Sequence, residues 1–356
     1  MNIGENPSLS QGPICPIPLR HKSQIIIGHG SGGRMSHDLI RKTFYPYLNN
    51  PVLNRSDDAG VIILNNASRL AISTDSHVVY PLFFPGGDIG RLAICGTVND
   101  VSMMGARPLY ITAGFILEEG LEIAKLEKVL ASMKAAAEEA EVQIIAGDTK
   151  VVQRGKADGL YINTTGVGVI YHDLSIGGIY AKPGDMVILS GTIGDHGIAV
   201  LSARGELGFE IGIESDIAPL NGLVESMLEA STEIHVLRDP TRGGLATSLN
   251  EIALQSGVCV NLYENLIPIH PEVASACELL GFDPLYVANE GKLIAIVSNR
   301  DAEKVLSAMR SHRYGKEATI IGEIREQPQG RVVMKTAIGS TRIVEMLSGE
   351  LLPRIC

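Results

Sequence analysis

Apolar and polar positions along the chain fall into registers that mark its elements. From Leu121 to Ala140, Leu126, Val129, Leu130, Met133 and Ala137 recur at i, i+3, i+4 and i+7 spacing with charges between them, which predicts an amphipathic helix. Tyr161–Ile170 alternates at period two and predicts a strand. Shorter apolar runs predict strands at Val61–Leu64, Leu70–Thr74 and Tyr110–Ile116, and a buried strand at Val142–Ala146. A helix is expected near Ile89–Gly105. Ahead of these, Gln24-Ile25-Ile26-Ile27 leads into His29-Gly30-Ser31-Gly32-Gly33-Arg34, and a helix with Ser36 as its N-cap is expected to follow.

The pattern breaks around Tyr171–Gly184, where Gly177-Gly178 and Lys182-Pro183-Gly184 predict a domain boundary. Beyond it, strands are expected at Met186–Leu189, Leu293–Val297 and Thr319–Ile324. Helices are expected at Ile198–Arg204, Pro219–Ala230 and Asp301–Ser311, with another running from the turn Arg238–Gly244 to Ser256. Strands and helices mix without strict βαβ alternation, which favours an α+β chain of two α/β-layer domains. The expected division is a flexible extension at 1–22, domains at 23–172 and 173–345, and a mobile tail at 346–356.

Composition narrows the function. A hydrophobic fraction of 45% over 356 residues supports an ample core. A formal net charge of −10, no Lys/Arg run and no tryptophan argue against nucleic-acid binding. The five cysteines (Cys15, Cys95, Cys259, Cys277 and Cys356) are odd in number and show no CxxC spacing, so neither a disulfide framework nor a structural zinc site is indicated. No apolar run reaches the length of a membrane span. Pro7, Pro13, Pro16 and Pro18 without an apolar core read as a floppy extension rather than a signal peptide. The expectation is a soluble, cytoplasmic protein.

Three sets of residues carry candidate chemistry. The glycine loop His29–Arg34 either cradles an anion with its backbone N–H groups or is a flexible turn, and it is not a Walker A motif. Asp57-Asp58, Asp75 and Asp148 sit at the edges of apolar segments, where carboxylates can converge on Mg²⁺ and phosphate. Each taken singly also reads as a turn residue or cap. Asp100 lies on the helical stripe of Leu92, Ala93, Gly96 and Met103, so it needs a partner; a metal or nucleotide role is favoured over a salt bridge, with Asn99 beside it. By residue chemistry alone, Lys150 and Glu290 read as surface charges. Asp195-His196 and Asp239 with Arg242 lie in glycine-rich turns. The final residue is Cys356, on a tail of which ten extended residues would reach roughly 33–36 Å.

Taken together, these stretches resemble the HypE family of hydrogenase maturation proteins. The resemblance rests on His29-Gly30-Ser31-Gly32-Gly33, Ser73-Thr74-Asp75-Ser76, Pro81–Gly87, Val98-Asn99-Asp100, Gly114–Gly120 and Gly147-Asp148-Thr149-Lys150-Val151-Val152. It continues through Gly191–Gly197, Arg238–Gly244, Asn289-Glu290-Gly291-Lys292 and Pro353-Arg354-Ile355-Cys356, covering roughly Ser23 to Cys356. It implies an aminoimidazole-ribotide synthetase-like fold and a homodimer formed through the N-terminal domains. It also implies that Cys356 accepts a carbamoyl group from the carbamoyltransferase HypF. ATP-dependent dehydration then gives an S-cyanate, and the cyano group passes to iron on a HypC–HypD scaffold for the Fe(CN)₂CO centre of [NiFe]-hydrogenase.

The same resemblance assigns Gly30, Ser31, Gly32 and Gly33 to the phosphates of ATP. It places Asp58, Asp75, Asp100 and Asp148 on Mg²⁺, with Asn99 at the nucleotide, and it puts Lys150 and Glu290 near the thiocarboxamide. The terminal carboxylate is expected to disfavour the Cys356 thiolate, with Arg354 offsetting it. Rival readings are a synthetase of the aminoimidazole-ribotide or selenophosphate type on the same scaffold, and a non-enzymatic carrier. The selenophosphate type would want a cysteine in or near the glycine loop, and the loop has none.

Overall fold

The structure is a computed structural model that describes residues 24–64, 68–205, 212–349 and 354–356. The extension expected at 1–22, Cys15, and residues 350–353 of the expected tail lie outside the described residues.

The first half folds as a five-stranded sheet with strands β1 (Gly60–Ile63), β2 (Arg69–His77), β3 (Arg107–Glu118), β4 (Gln143–Val152) and β5 (Leu160–Ile170), in the order β1-β2-β5-β3-β4. Neighbours are antiparallel except β3 and β4. Helices α1 (Ile89–Met103) and α2 (Ile123–Glu139) cover the sheet. Asp88 caps α1, its carboxylate accepting from the N–H groups of Gly90 and Arg91. Nearly every α1 residue is buried, as expected of a helix that is apolar all round. On α2, Val129, Met133, Ala136 and Ala137 are buried, while Leu130 is exposed and Leu126 half-buried, so the packed stripe is narrower than the periodicity predicts. The predicted alternation of β5 is observed along its whole length.

Strand β4 corrects an expectation. The run Val142–Ala146 was expected to be buried, yet β4 is an edge strand exposed along its length, with Ile145 58% and Val151 69% exposed. Its parallel pairing to β3 satisfies one edge only, and among the described residues no strand lies on its other side. An apolar run marks the side chains of a strand as apolar and does not say whether its own chain covers them.

The second half builds a seven-stranded sheet from β6 (Met186–Leu189), β7 (Ile234–Arg238), β8 (Cys259–Tyr263), β9 (Ile294–Val297), β10 (Thr319–Arg325), β11 (Arg331–Lys335) and β12 (Thr341–Val344), in the order β12-β11-β8-β10-β6-β9-β7. Its helices are α3 (Asp195–Ala203), α4 (Asn221–Ala230), α5 (Gly244–Ser256), α6 (Pro271–Leu280) and α7 (Ala302–Ser311). Strands β7, β8, β11 and β12 and helix α6 are additions to the sequence-based expectation. The two halves meet along α1, whose Met103 packs in one core with Leu220 and Leu223. Sheets and helices thus form layered α+β units.

Candidate active site

The glycine loop and the last residue of the chain line one cavity of about 160 Å³, together with Val78, Arg242 and Gly243. The loop begins within a short 3₁₀ turn, Ile27–Gly30, and runs into a helix Arg34–Leu39 whose N-cap is Gly33. Ser36 therefore does not cap. It lies inside the helix, and its Oγ accepts from the Gly32 N–H at 2.9 Å. Gly32 has φ +76°, and a Cβ there would come within 2.9 Å of both Cβ and the carbonyl oxygen of Arg242. Glycine is required at this position by conformation and by space. Arg242 in turn reaches the Gly30 carbonyl at 3.4 Å.

Three of the four predicted aspartates are brought together. Asp75 on β2 faces α1, where the absent side chain of Gly96 leaves a Cβ position 3.5 Å from Asp75 Oδ2. Asp100, one turn further on, accepts from Ser73 Oγ at 2.6 Å. Asp58 pairs with Arg238 at 2.5 Å, and Asp239 follows directly. Burial pushes the Asp100 pKa well above the carboxylate range, and the charges of Asp239, Asp75 and Asp58 raise it further. Burial also raises Asp58, against the pull of Arg238, and lifts Asp239 to about 6. Asp75 differs: burial works to raise it, but His77, Arg242 and the Ser76 N–H together draw it below its usual value.

Asp148 and Lys150 do not join this group. Both stand exposed on β4, paired to each other at 2.6 Å. They line a separate cavity of about 380 Å³ with Ser76 and His77, and Val78 is common to both cavities. The four-aspartate set is thus not assembled within one chain, nor is Lys150 beside Cys356, because an edge strand presents these side chains outward. Among the described residues, no three His, Cys, Asp or Glu side chains already form a metal-holding group.

At the thiol, Cys356 faces Arg242 and Glu290. Desolvation raises its pKa strongly, Arg242 opposes this, and Glu290 and Asp75 add to the rise. Arg354, expected to offset the terminal charge, instead pairs with Asp158 and lies 5.0 Å over the Tyr80 ring. Glu290 is buried rather than a surface charge. Its pKa stands well above the usual value through burial and the charges of Asp239, Asp75 and Asp216, and its Oε1 has no hydrogen-bond partner among the described residues.

Asn99 also departs from its expected role. Its amide nitrogen donates to the carbonyls of Ala218 and Glu290, and its oxygen accepts from the Leu220 N–H at 2.8 Å. It clamps the two halves together instead of facing a nucleotide. Asn289 anchors the other side of Glu290, accepting from the Gly194 N–H and donating to the Pro240 carbonyl.

Sequence reasoning left Arg238, Asp239 and Arg242 without a role. Their signal was present in the charged, proline- and glycine-punctuated turn Arg238–Gly244 after an apolar strand, because such a turn aims charges at a sheet edge.

Residues 56–170 match the family of AIR synthase related proteins, N-terminal domain, and residues 182–335 match its C-terminal domain. The chain is 53% identical over 340 residues to carbamoyl dehydratase HypE of Cupriavidus necator, covering 95% of this chain and 97% of that one. A solved HypE–HypF complex is similar at TM-score 0.83 and 50% identity, covering 87% of this chain and 99% of that one. A HypE structure in complex with ATP follows at TM-score 0.78 and 50% identity, with 94% and 100% covered. The chain belongs to the HypE family of carbamoyl dehydratases, on the AIR synthase-related fold.

Proposed function

We propose that this chain dehydrates an S-carbamoyl group on its own Cys356 to an S-cyanate, consuming ATP, and so supplies the cyano ligand for a [NiFe]-hydrogenase iron centre. The observation that carries this reading is the shared cavity: a glycine loop suited to phosphates and the terminal thiol line one space with Arg242, and the thiol also faces the buried carboxylate of Glu290.

The chemistry fits these residues. A carboxamide oxygen leaves poorly until it is phosphorylated, and ATP is the phosphoryl donor. R–S–C(=O)NH₂ plus ATP gives R–S–C≡N, ADP, phosphate and a proton. The carbonyl oxygen leaves as part of the phosphate, and both N–H protons depart. Glu290 is placed to take a proton from that nitrogen, and its burial makes it a stronger base than an exposed glutamate. Arg242 and the loop N–H groups offset charge on the transferring phosphoryl group.

Burial and the facing Glu290 disfavour the thiolate of the docked tail, so carbamoyl acceptance is expected with the tail withdrawn from the cavity, where HypF can reach it. The cavity's 160 Å³ is also below the roughly 300 Å³ typical of ligand pockets, consistent with nucleotide and tail rearranging together. Delivery of the cyano group to a HypC–HypD scaffold completes the cycle.

Mg²⁺ fits the acidic group. Asp239 raises the protonation of Asp58 and Asp100, Asp75 that of Asp100 and Asp239, and Asp239 Oδ2 is buried without a hydrogen-bond partner among the described residues. A divalent cation would satisfy that oxygen and relieve the repulsion, with phosphate oxygens completing its shell. It would supply charge neutralisation to the phosphates. A homodimer formed through the first sheet would cover β4 and bring Asp148 and Lys150 into an interface.

The test is intact mass spectrometry of the carbamoylated full chain. ATP should remove the mass of one water from the Cys356 adduct. The reading is lost if the Cys356→Ala chain, treated identically, shows the same cyano product.

A further inference from the structure

The tail's seat is built on both sides of the chain. The Val78 N–H donates to the Cys356 carbonyl at 3.0 Å and the Tyr80 N–H to the Arg354 carbonyl at 3.3 Å, so the tail pairs with residues 78–80 like a short strand. In such pairing alternate carbonyls point to opposite sides. The Ile355 carbonyl therefore points away from residues 78–80, and His196 meets it there, Nε2 to oxygen 2.7 Å. The Ile355 side chain is buried in the core with Phe84 and Val200.

His196 is itself fixed. It is fully buried on α3, its Nδ1 lies 2.8 Å from Ser215 Oγ, and its ring stands edge-on to Phe84 at 5.6 Å. A carbonyl only accepts, so Nε2 carries the proton, and Nδ1 of the neutral ring accepts from Ser215. The next residue, Asp216, accepts from the Glu290 N–H and from Lys292 Nζ, both at 3.0 Å. One segment, 215–217, thus sets both His196 and Glu290.

We propose that His196 is a positioning residue that latches the tail through the Ile355 carbonyl and so sets Cys356 in register with Glu290. This deepens the functional reading above and rests on it for its purpose. The latch itself is tested without turnover.

In the full chain, the alkylation rate of Cys356 by iodoacetamide, followed by peptide mass mapping, reports how often the tail leaves its seat. His196→Leu removes the donor and should speed alkylation by about tenfold. His196→Gln places an amide N–H near the old Nε2 and should return most of the protection. Arg204→Met, which removes a donor to the Arg354 carbonyl at 2.8 Å, should also speed alkylation from a separate site. That variant keeps the test open if His196→Leu fails to fold.

Equal alkylation of wild type, His196→Leu and Arg204→Met overturns the latch. Equal speeding by His196→Leu and His196→Gln also overturns it, by pointing to general loosening. Water loss from carbamoylated wild type is scored separately. Its absence refutes the functional reading, while alkylation still decides the latch.

Discussion

Asn99 on α1 donates its side-chain amide to the backbone carbonyl of Glu290, 3.2 Å away across the junction of the two halves. The same side chain holds Ala218 and Leu220. Removing it would leave three buried backbone groups without partners. Asn99→Ala is expected to lose about 2–4 kcal/mol of stability, beyond the usual effect of a point change. It should also slow dehydration, because the Glu290 backbone loses a support. Urea unfolding and single-turnover water loss measure the two effects, and a stability loss within about 0.5 kcal/mol would remove Asn99 from this role.

That clamp also marks what the sequence could not convey. The stripe Leu92, Ala93, Gly96, Asp100 and Met103 was legible, because helical periodicity fixes which side chains share a face. Asn99 beside it was read as a nucleotide contact, because a polar residue next to a buried carboxylate has the same local signature whether its partner is a ligand or a distant backbone. Glu290 and Lys150 show the converse. Residue chemistry alone made both surface charges; folding buries Glu290 at Cys356 and leaves Lys150 exposed on an edge strand. Strand β8 was missed because Cys259–Tyr263 is covered on both faces and carries the buried Asn261, so it shows no alternation.

Asp239 gives a pH-dependent expectation. Burial lifts its pKa from 3.8 to about 6, so the folded state keeps a proton that the unfolded chain has released. Stability from this group therefore falls as pH rises between those two values, and the cost is fully present above about pH 6. Asp239→Asn should match wild type below about pH 4 and exceed it by about 3 kcal/mol above about pH 6. Mg²⁺ with ATP should stabilise wild type and have far less effect on the variant. Denaturant melts across this range decide it: a variant less stable than wild type at neutral pH contradicts the assignment.

The uncovered strand β4 predicts an oligomer. Ile145 is 58% exposed and lies on a strand that, among the described residues, forms the edge of its sheet. Ile145→Lys should change the stability of one chain by no more than about 0.5 kcal/mol, yet convert a dimer to monomer in sedimentation equilibrium. A dimer that survives the substitution would place the interface on another surface.

Glu290 offers the sharpest test of the chemistry. It is buried beside Cys356, and its pKa is raised by burial and by the charges of Asp239, Asp75 and Asp216. Glu290→Gln keeps size and hydrogen bonding but cannot take a proton. General-base catalysis contributes about 10²–10⁴-fold, so single-turnover dehydration should slow by that range while ATP affinity changes little. In wild type the rate should climb with pH as the carboxyl loses its proton, and the variant should lose that limb of the profile. The substitution also removes a buried acid whose ionisation is disfavoured, so the protein should be no less stable at neutral pH than wild type. A slow but equally stable variant with a flat profile separates lost chemistry from lost structure. Near-wild-type rates with an unchanged pH limb would instead assign the proton transfer to another group, with Lys150 presented by a second chain as the next to examine.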